Sequence, residues 1–167
     1  MQIDKDFRIE TTPNHVDDSE IVSLLTRVYV DGGFTSPEKA KALFCATAVR
    51  SRGNIVIART QQDCKLVGMV IVVLPDSPAR RLAGCDEVEL HLLAVDPLDR
   101  GLGVGRTLLA SAIESIHQLG FRKTVLWTQP TMTAAQRLYE NIGFVRVEAR
   151  DPTFEDMRFL AYAKQWL

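Results

Sequence analysis

Apolar residues recur along the chain with two different periods, one typical of strands and one typical of helices. Alternation or β-branched runs at residues 7–12, 54–60, 65–74 and 86–95 predict four strands. The short polar segment "QQDC" joins the second and third of these, which favours a hairpin. The segment "KTVLWTQ" predicts a fifth strand. The segments "GFVRVEA" and "MRFLAYA" predict two more, with "RDPTFED" as a loop between them.

Helical spacing predicts four helices between these strands. The first has an apolar face made of Ile21, Leu24, Leu25 and Val28. The second opens with the dipeptide "SP", typical of an N-cap followed by the first helical residue, and runs through Phe44. The third has an apolar stripe that begins at Val104 and ends at Gly120, and the fourth spans residues 133–142 before Gly143.

Length and composition limit the class of protein. With 167 residues, 46% of them apolar and 25% charged, the chain fits one α/β domain over residues 1–167. A formal net charge of −1 gives no reason to expect nucleic acid or an anionic membrane as a partner. The three cysteines are scattered without CxxC spacing, which favours a reducing compartment over a disulfide scaffold and argues against a Cys-only zinc site.

The N-terminal stretch "MQIDKDFRIETT" mixes charged and apolar residues and is unlike a signal peptide or an anchor. No uncharged apolar run approaches the roughly 20 residues that a membrane helix needs. We therefore expect a cytoplasmic protein with no metal site.

The stretch "LHLLAVDPLDRGLGVGRTLL" combines a predicted strand, a glycine-rich turn and a predicted helix. The dinucleotide pattern G-x-G-x-x-G fails, because Gly101 and Gly103 require a glycine where Arg106 stands. The P-loop pattern fails as well, because its G-K-[ST] ending is missing. What remains is Arg100-x-x-Gly103-x-Gly105 at the start of a helix.

Such a turn is suited to an anion. Glycines let the backbone approach a ligand closely, and the N–H groups and dipole at a helix start favour negative charge. Arg100 and Arg106 add positive charge on either side, so the site suits a pyrophosphate. The alternative is a strand-to-helix turn that needs glycine for its geometry alone.

Arg100-x-x-Gly103-x-Gly105 resembles the signature Q/R-x-x-G-x-G/A of the GNAT superfamily of N-acetyltransferases. The later pattern A-x-x-L-Y-x-x-x-G-F, which begins at Ala135, is also similar to that family. The resemblance implies an α/β (α+β) fold with a mixed, mostly antiparallel sheet of six to seven strands, flanked by about four helices. It implies a sheet splayed between its fourth and fifth strands, with acetyl-CoA bound in the wedge.

The resemblance also implies which residues bind this cofactor. The pyrophosphate is expected on the backbone of Arg100, Gly101, Leu102, Gly103, Val104, Gly105 and Arg106. The pantetheine arm is expected to pair, like an added strand, with Leu93, Ala94 and Val95. Tyr139 matches the family tyrosine near the cofactor sulfur. Met132 stands where the family often has asparagine, so Thr131 or Thr133 replaces that contact or the contact is missing.

Acetyl transfer to an amine requires a base for the acceptor, stabilisation of the thioester oxygen and a proton for the leaving thiolate. Strict alternation along the fourth strand puts Glu87, Glu89, His91, Leu93 and Val95 on one face. By resemblance, Glu89 is the candidate base, acting directly or through water, and His91 is an alternative base or a relay. Tyr139 is the candidate acid, and the N–H of Leu93 is the candidate donor to the oxygen.

These residues also allow simpler interpretations. Glu87 and Glu89 can face an open wet cleft or pair with Arg80 or Arg81, and Tyr139 can be a packing tyrosine. The leading functional hypothesis is transfer of acetyl from acetyl-CoA to a primary amine by direct attack in a ternary complex. A non-catalytic acyl-CoA-binding module or sensor, and an acyltransferase for a longer donor, remain alternatives.

The acceptor, a small molecule or a peptide amine, is not identified by the sequence. In this family the acceptor is read by the first two helices, their connection and the loop "EARDPTFEDM". These segments have an acidic excess that suits a cationic amine, although a solvated surface explains it equally well: Asp31, Glu38, Glu148, Asp151, Glu155 and Asp156 against Lys39, Lys41 and Arg150. A homodimer is a further possibility that the family suggests.

Overall fold

The computed structural model describes residues 6–11 and 15–167, and a seven-stranded sheet forms its centre. In the order β1-β2-β3-β4-β5-β9-β6, its strands are β1 (Phe7–Glu10), β2 (Asn54–Thr60), β3 (Leu66–Val73), β4 (Glu87–Val95), β5 (Lys123–Thr128), β9 (Leu160–Gln165) and β6 (Val145–Arg146). Two short strands, β7 (Thr153–Phe154) and β8 (Met157–Arg158), form a separate hairpin. The prediction of a mixed α/β sheet of six to seven strands is confirmed.

Helices cover both faces of the sheet. They are α1 (Asp18–Leu25), α2 (Pro37–Leu43), α3 (Ala46–Arg50), α4 (Val104–Gln118) and α5 (Thr133–Ile142). A wider π-helical turn, Thr26–Val30, continues α1. Because side chains alternate along β2 and β3, one set packs with α4 and the other with α1, giving two apolar clusters on opposite faces. None of the described helices is long and apolar enough to cross a membrane.

Local signals explain where several helices begin and end. The Ser36 side chain accepts the N–H of Lys39 at 3.4 Å, with Pro37 as the first helical residue. The helix predicted through Phe44 ends at Leu43, and α3 follows as a separate short helix. Gly143 closes α5 in the left-handed conformation, as its sequence position predicts.

The sheet opens between β4 and β5. These two strands run parallel and pair only from Glu87 to Leu90 on β4 and from Lys123 to Leu126 on β5. Both strands continue beyond this point, β4 to Val95, so their ends separate into a wedge. The splay between the fourth and fifth strands is therefore confirmed.

A bulge in β4 changes the face on which its later side chains lie. His91 is opposite Ile71, whereas Ala94 is opposite Met69, so β4 holds an extra residue between these pairs. Leu92 adopts a positive φ of 49° at this point.

After the bulge, Leu92 and Ala94 lie with the α1 cluster, while Leu93 and Val95 pack toward the α4 cluster. The prediction that Leu93 and Val95 share a face with Glu89 was wrong, because strict alternation assumes an unbroken ladder.

Other predictions require smaller corrections. The first strand ends at Glu10, and Thr12 lies outside the described residues. The segment predicted as the loop "RDPTFED" contains β7. The strand predicted in "GFVRVEA" is reduced to Val145–Arg146 and is followed by a 3-10 turn at Glu148–Arg150.

Candidate active site

The wedge between β4 and β5 is a cleft of about 430 Å³. Its walls include Leu93 and Val95 from β4, the loop from Arg100 to Arg106, and the start of α5. The expected cofactor-binding positions on β4 and in the glycine-rich loop are therefore brought together, and Ala94 is the buried residue between two of them. Thr131, Met132 and Thr133 line the opposite wall, so the segment that replaces the family asparagine also reaches the cleft.

The glycine-rich loop has the backbone geometry of an anion site. Gly101 and Gly103 adopt φ values of +78° and +83°, and a Cβ added to either would meet nothing within 4 Å. These two glycines are thus needed for conformation and not for space. Gly105 differs, because its Cβ would lie 3.0 Å from a Leu138 methyl carbon.

The start of α4 supplies the donors for that anion. Thr107 is the first residue whose N–H bonds back to the carbonyl of Gly103, at 3.0 Å, so the N–H groups before it are the free donors of the helix start. Arg100 and Arg106 are exposed on either side of the loop. The residues present therefore fit the pyrophosphate of a coenzyme A.

Glu89 lies on β4 before the bulge and is 0% exposed. One carboxylate oxygen, Oε1, accepts the backbone N–H groups of Arg81, Leu82 and Ala83. The other, Oε2, lies 2.7 Å from Nε2 of His91. Burial by itself would raise the pKa of Glu89, but the hydrogen bonds from His91 and the backbone keep that pKa below its ordinary value. The carboxylate is therefore ionised, fully hydrogen-bonded and out of contact with solvent.

His91 is 5% exposed. Its ring packs against the ring of Trp127 in a T-shaped arrangement, with the two ring centroids 4.6 Å apart. Burial is the main cause that lowers the pKa of His91, opposed by the contact with Glu89. The neutral ring must donate Nε2–H to the ionised carboxylate, which leaves the lone pair on Nδ1. Among the described residues Nδ1 has no hydrogen-bond partner. This is the arrangement of a base whose tautomer is fixed by a carboxylate.

Glu87 does not join this pair. Its carboxylate forms an ion pair with Arg150 at 2.6 Å and accepts the N–H of Gly84 at 2.7 Å. The partner proposed from the sequence, Arg80 or Arg81, was wrong for Glu87, because Arg150 is sixty-three positions away and only the folded chain brings it near.

Two buried tyrosines lie next to residues that line the cleft: Tyr139 follows Leu138 on α5, and Tyr29 contacts Leu93. Tyr139 is 6% exposed, and burial is the main cause that raises its pKa, so its hydroxyl stays protonated at neutral pH. Tyr29 donates its hydroxyl to the carbonyl of Leu93 at 3.0 Å and was not foreseen from the sequence. Its place in the π-helical turn moves it off the regular helical period, so no sequence signal marked it.

No cluster of three or more His, Cys, Asp or Glu side chains in residues 6–11 and 15–167 could hold a metal ion. The cysteines Cys45, Cys64 and Cys85 are exposed and unpaired as disulfides.

Comparison with known proteins assigns the family. Residues 19–144 match the family model described as "Acetyltransferase (GNAT) family". This range covers most of the chain, which therefore belongs to the GNAT family of acetyltransferases. The resemblance stated from the glycine-rich loop and the Ala135 pattern is confirmed.

Curated relatives match shorter segments. A mycothiol acetyltransferase of Thermobispora bispora is 38% identical over 58 residues, which are 35% of this chain and 20% of that protein. A mycothiol acetyltransferase of Cellulomonas flavigena is 36% identical over 88 residues, or 52% of this chain and 25% of that protein. The chain thus spans about a fifth to a quarter of the length of these relatives.

Solved structures match the whole fold. An acetyltransferase of the GNAT family from Staphylococcus aureus Mu50 superposes with a TM-score of 0.77 at 15% identity, over 96% of this chain and 99% of that one. PaiA N-acetyltransferase from Thermoplasma acidophilum, solved in complex with coenzyme A, gives a TM-score of 0.73 at 16% identity over 96% and 99% of the two chains. At these identities the likeness concerns the fold alone.

Proposed function

We propose that this protein transfers an acetyl group from acetyl-CoA to a primary amine by direct attack in a ternary complex. The observation that carries the proposal is the buried Glu89–His91 pair, with a free lone pair on Nδ1, on the same strand whose later residues line a cleft with an anion-binding loop that fits coenzyme A. A binding module or sensor needs the loop but has no use for a base held in one tautomer. Family membership and the coenzyme A bound to the Thermoplasma acidophilum protein support the donor.

The donor is held by the loop and by the open edge of β4. The backbone from Arg100 to Arg106 binds the pyrophosphate, and Leu93, Ala94 and Val95 offer the strand edge that β5 leaves unpaired to the pantetheine arm. When bound, acetyl-CoA supplies the activated acetyl thioester. The N–H of Leu93, which lies at the bulge in β4, is the donor that stabilises the thioester oxygen in this proposal.

His91 is the general base in this proposal, and Glu89 is a positioning residue. An alkylammonium has a pKa of about 10, so the acceptor must lose a proton before attack. His91 takes that proton on Nδ1, while Glu89 fixes the ring by accepting Nε2–H and stabilises the imidazolium that results. This assigns the role of base to His91, because both oxygens of Glu89 already accept hydrogen bonds, whereas Nδ1 of His91 keeps a free lone pair.

Tyr139 is the general acid for the leaving sulfur. Its raised pKa, caused mainly by burial, keeps a proton on Oη at neutral pH. Asymmetry between the two groups is what the reaction needs: the environment keeps His91 unprotonated and Tyr139 protonated at the same pH. A cytoplasmic location, as expected from the sequence, and a homodimer, as the family suggests, are part of the proposal.

Calorimetric titration with acetyl-CoA, coenzyme A and NAD, followed by a thiol-release assay on a library of primary amines, tests the proposal. We expect acetyl-CoA and coenzyme A to bind, NAD not to bind, and thiol release to depend on at least one amine. Binding of acetyl-CoA with no amine-dependent release would favour the sensor. Failure to bind coenzyme A would contradict the role of the loop.

A further inference from the structure

Arg52 carries a charge that acts on His91 and that forms no ion pair with any carboxylate of the described chain. It lies half-buried between α3 and β2, and its Nη2 donates to the carbonyl of Leu43 at 3.2 Å. Among residues 6–11 and 15–167 its guanidinium has no ion-pair partner. Burial, and then the charge of Arg81, lower the pKa of Arg52. Such a desolvated cation costs free energy that a bound anion would recover.

The loop between β3 and β4 brings Arg81 to the same place. The N–H of Arg81 donates to Oε1 of Glu89 at 2.9 Å, and the other oxygen of that carboxylate contacts His91. The Ser77 hydroxyl in this loop donates to the carbonyl of Arg52 at 2.8 Å, which fixes the loop against the turn before β2. The side chain of Arg81 is exposed and, within the described ranges, forms no ion pair.

The acidic side chains around Arg52 and Arg81 form hydrogen bonds or ion pairs with other residues. Glu89 uses both oxygens in hydrogen bonds, and Glu87 pairs with Arg150. Glu155, one of the acidic residues that suggested a cationic acceptor, pairs with Lys39 at 2.9 Å. Two arginines, Arg52 and Arg81, but only one carboxylate act on His91, so positive charge is in excess there although the surface segments around it are acidic.

We propose that the acetyl acceptor carries a carboxylate as well as its amine, and that Arg52 and Arg81 bind this carboxylate beside His91. The inference rests on the proposed function and names the substrate class of the same site. A guanidinium offers paired N–H donors whose geometry matches a carboxylate. A carboxylate bound there holds the rest of a small acceptor over His91, whose Nδ1 is the atom that needs a donor. A polyamine would be repelled by the same two arginines.

The test compares matched acceptors that differ only in charge. The probes are α-amino acids and β-alanine, each against its carboxamide, with putrescine as a cationic amine. In the thiol-release assay we expect the carboxylate member of a pair to have the higher kcat/KM. Arg52→Gln and Arg81→Gln should each raise the KM of the carboxylate acceptor about 10- to 100-fold, as expected for loss of a charge-assisted hydrogen bond.

Three controls accompany these variants. Arg80→Gln removes an exposed arginine of the same loop that makes no side-chain hydrogen bond within the described chain, and it should leave the KM unchanged. Arg52→Lys should recover part of the affinity, and the Kd of acetyl-CoA should not move in any variant. Because Arg81 is exposed, Arg81→Gln is expected to fold even if Arg52→Gln does not.

The outcomes separate this inference from the proposed function. Equal activity on acids and carboxamides, or preference for putrescine, would overturn the carboxylate acceptor and leave amine acetylation intact. Equal loss on both members of a pair in Arg81→Gln would overturn it as well. If none of these probes were acetylated while another amine of the library was, the carboxylate acceptor would be overturned and amine acetylation would stand; no release with any amine would refute the proposed function itself.

Discussion

Replacing Glu89 with glutamine changes which nitrogen of His91 carries the proton. The three N–H donors of Arg81, Leu82 and Ala83 at Oε1 require an acceptor, so the single oxygen of the new carboxamide stays with them. Its NH₂ group then faces Nε2 of His91, which is 2.7 Å from the present carboxylate. To accept that hydrogen bond, His91 must move its proton to Nδ1. The lone pair that takes the proton of the acceptor is lost.

The size of the effect follows from what the base contributes. A positioned general base accelerates such a step by about 10²- to 10⁴-fold, and we expect kcat for amine acetylation to fall by that factor. The Kd of acetyl-CoA should stay constant, because Glu89 is fully buried and does not line the cofactor cleft. Loss of the charge in four hydrogen bonds should lower the free energy of unfolding by about 1–3 kcal/mol.

The pH–rate profile gives an independent readout. Burial lowers the pKa of His91 from 6.5, so the rate of the parent protein should fall only when the pH drops below that value. Glu89 opposes this effect, so its replacement should move the acidic limb to a still lower pH. Nitrogen-15 NMR of labelled histidine should show the proton on Nε2 in the parent and on Nδ1 in the variant.

Glu87→Gln is the matched control. Glu87 lies two residues earlier on β4 and anchors the same loop through Gly84 and Arg150, but it does not contact His91. It should retain the parent kcat and tautomer. Retention of full activity by Glu89→Gln would refute the assignment of the base, and an equal loss in both variants would show that the carboxylates act by holding the loop.

Three further predictions concern the cofactor site, the acid and the C-terminal hairpin. Gly103→Asp should abolish coenzyme A binding in a calorimetric titration, because it puts a carboxylate in the anion site and a side chain at a positive φ that strains the backbone. Unchanged affinity would contradict the assignment of this loop as the pyrophosphate site. Tyr139→Phe should lower kcat with no change in the Kd of acetyl-CoA, whereas Tyr162→Phe, whose hydroxyl contacts Glu140, should not. Asp151→Asn should lower the free energy of unfolding by about 2 kcal/mol at pH 7, because Arg146 holds the pKa of that carboxyl at about 2. Urea unfolding should show the difference between the Asp151 variant and the parent present above pH 4 and lost as the pH falls through 2, and a constant difference would contradict this.

The sequence predicted those parts of the fold that depend on neighbours along the chain. The glycine-rich loop before Val104, the Ser36 cap and the β-branched run in β2 are local features, and each has the predicted structure. Glu89 and His91 are adjacent on one face of a strand, so their proximity was also predictable. Their division of roles was not, because it depends on the N–H groups of a loop whose course over Glu89 is set by tertiary contacts.

The bulge at Leu92 is the feature that organises the cleft and that alternation along the chain did not foresee. A leucine at positive φ costs about 1–2 kcal/mol, so the surrounding structure must hold it in place. With an unbroken ladder, Leu93 and Val95 would point to the same side as His91. The extra residue turns them toward the α4 cluster and the cleft, and leaves His91 on the opposite face of the strand. The register with β3 creates this division, and because that register exists only in the folded sheet, the separation of the Glu89–His91 pair from the cleft-lining side chains depends on tertiary structure.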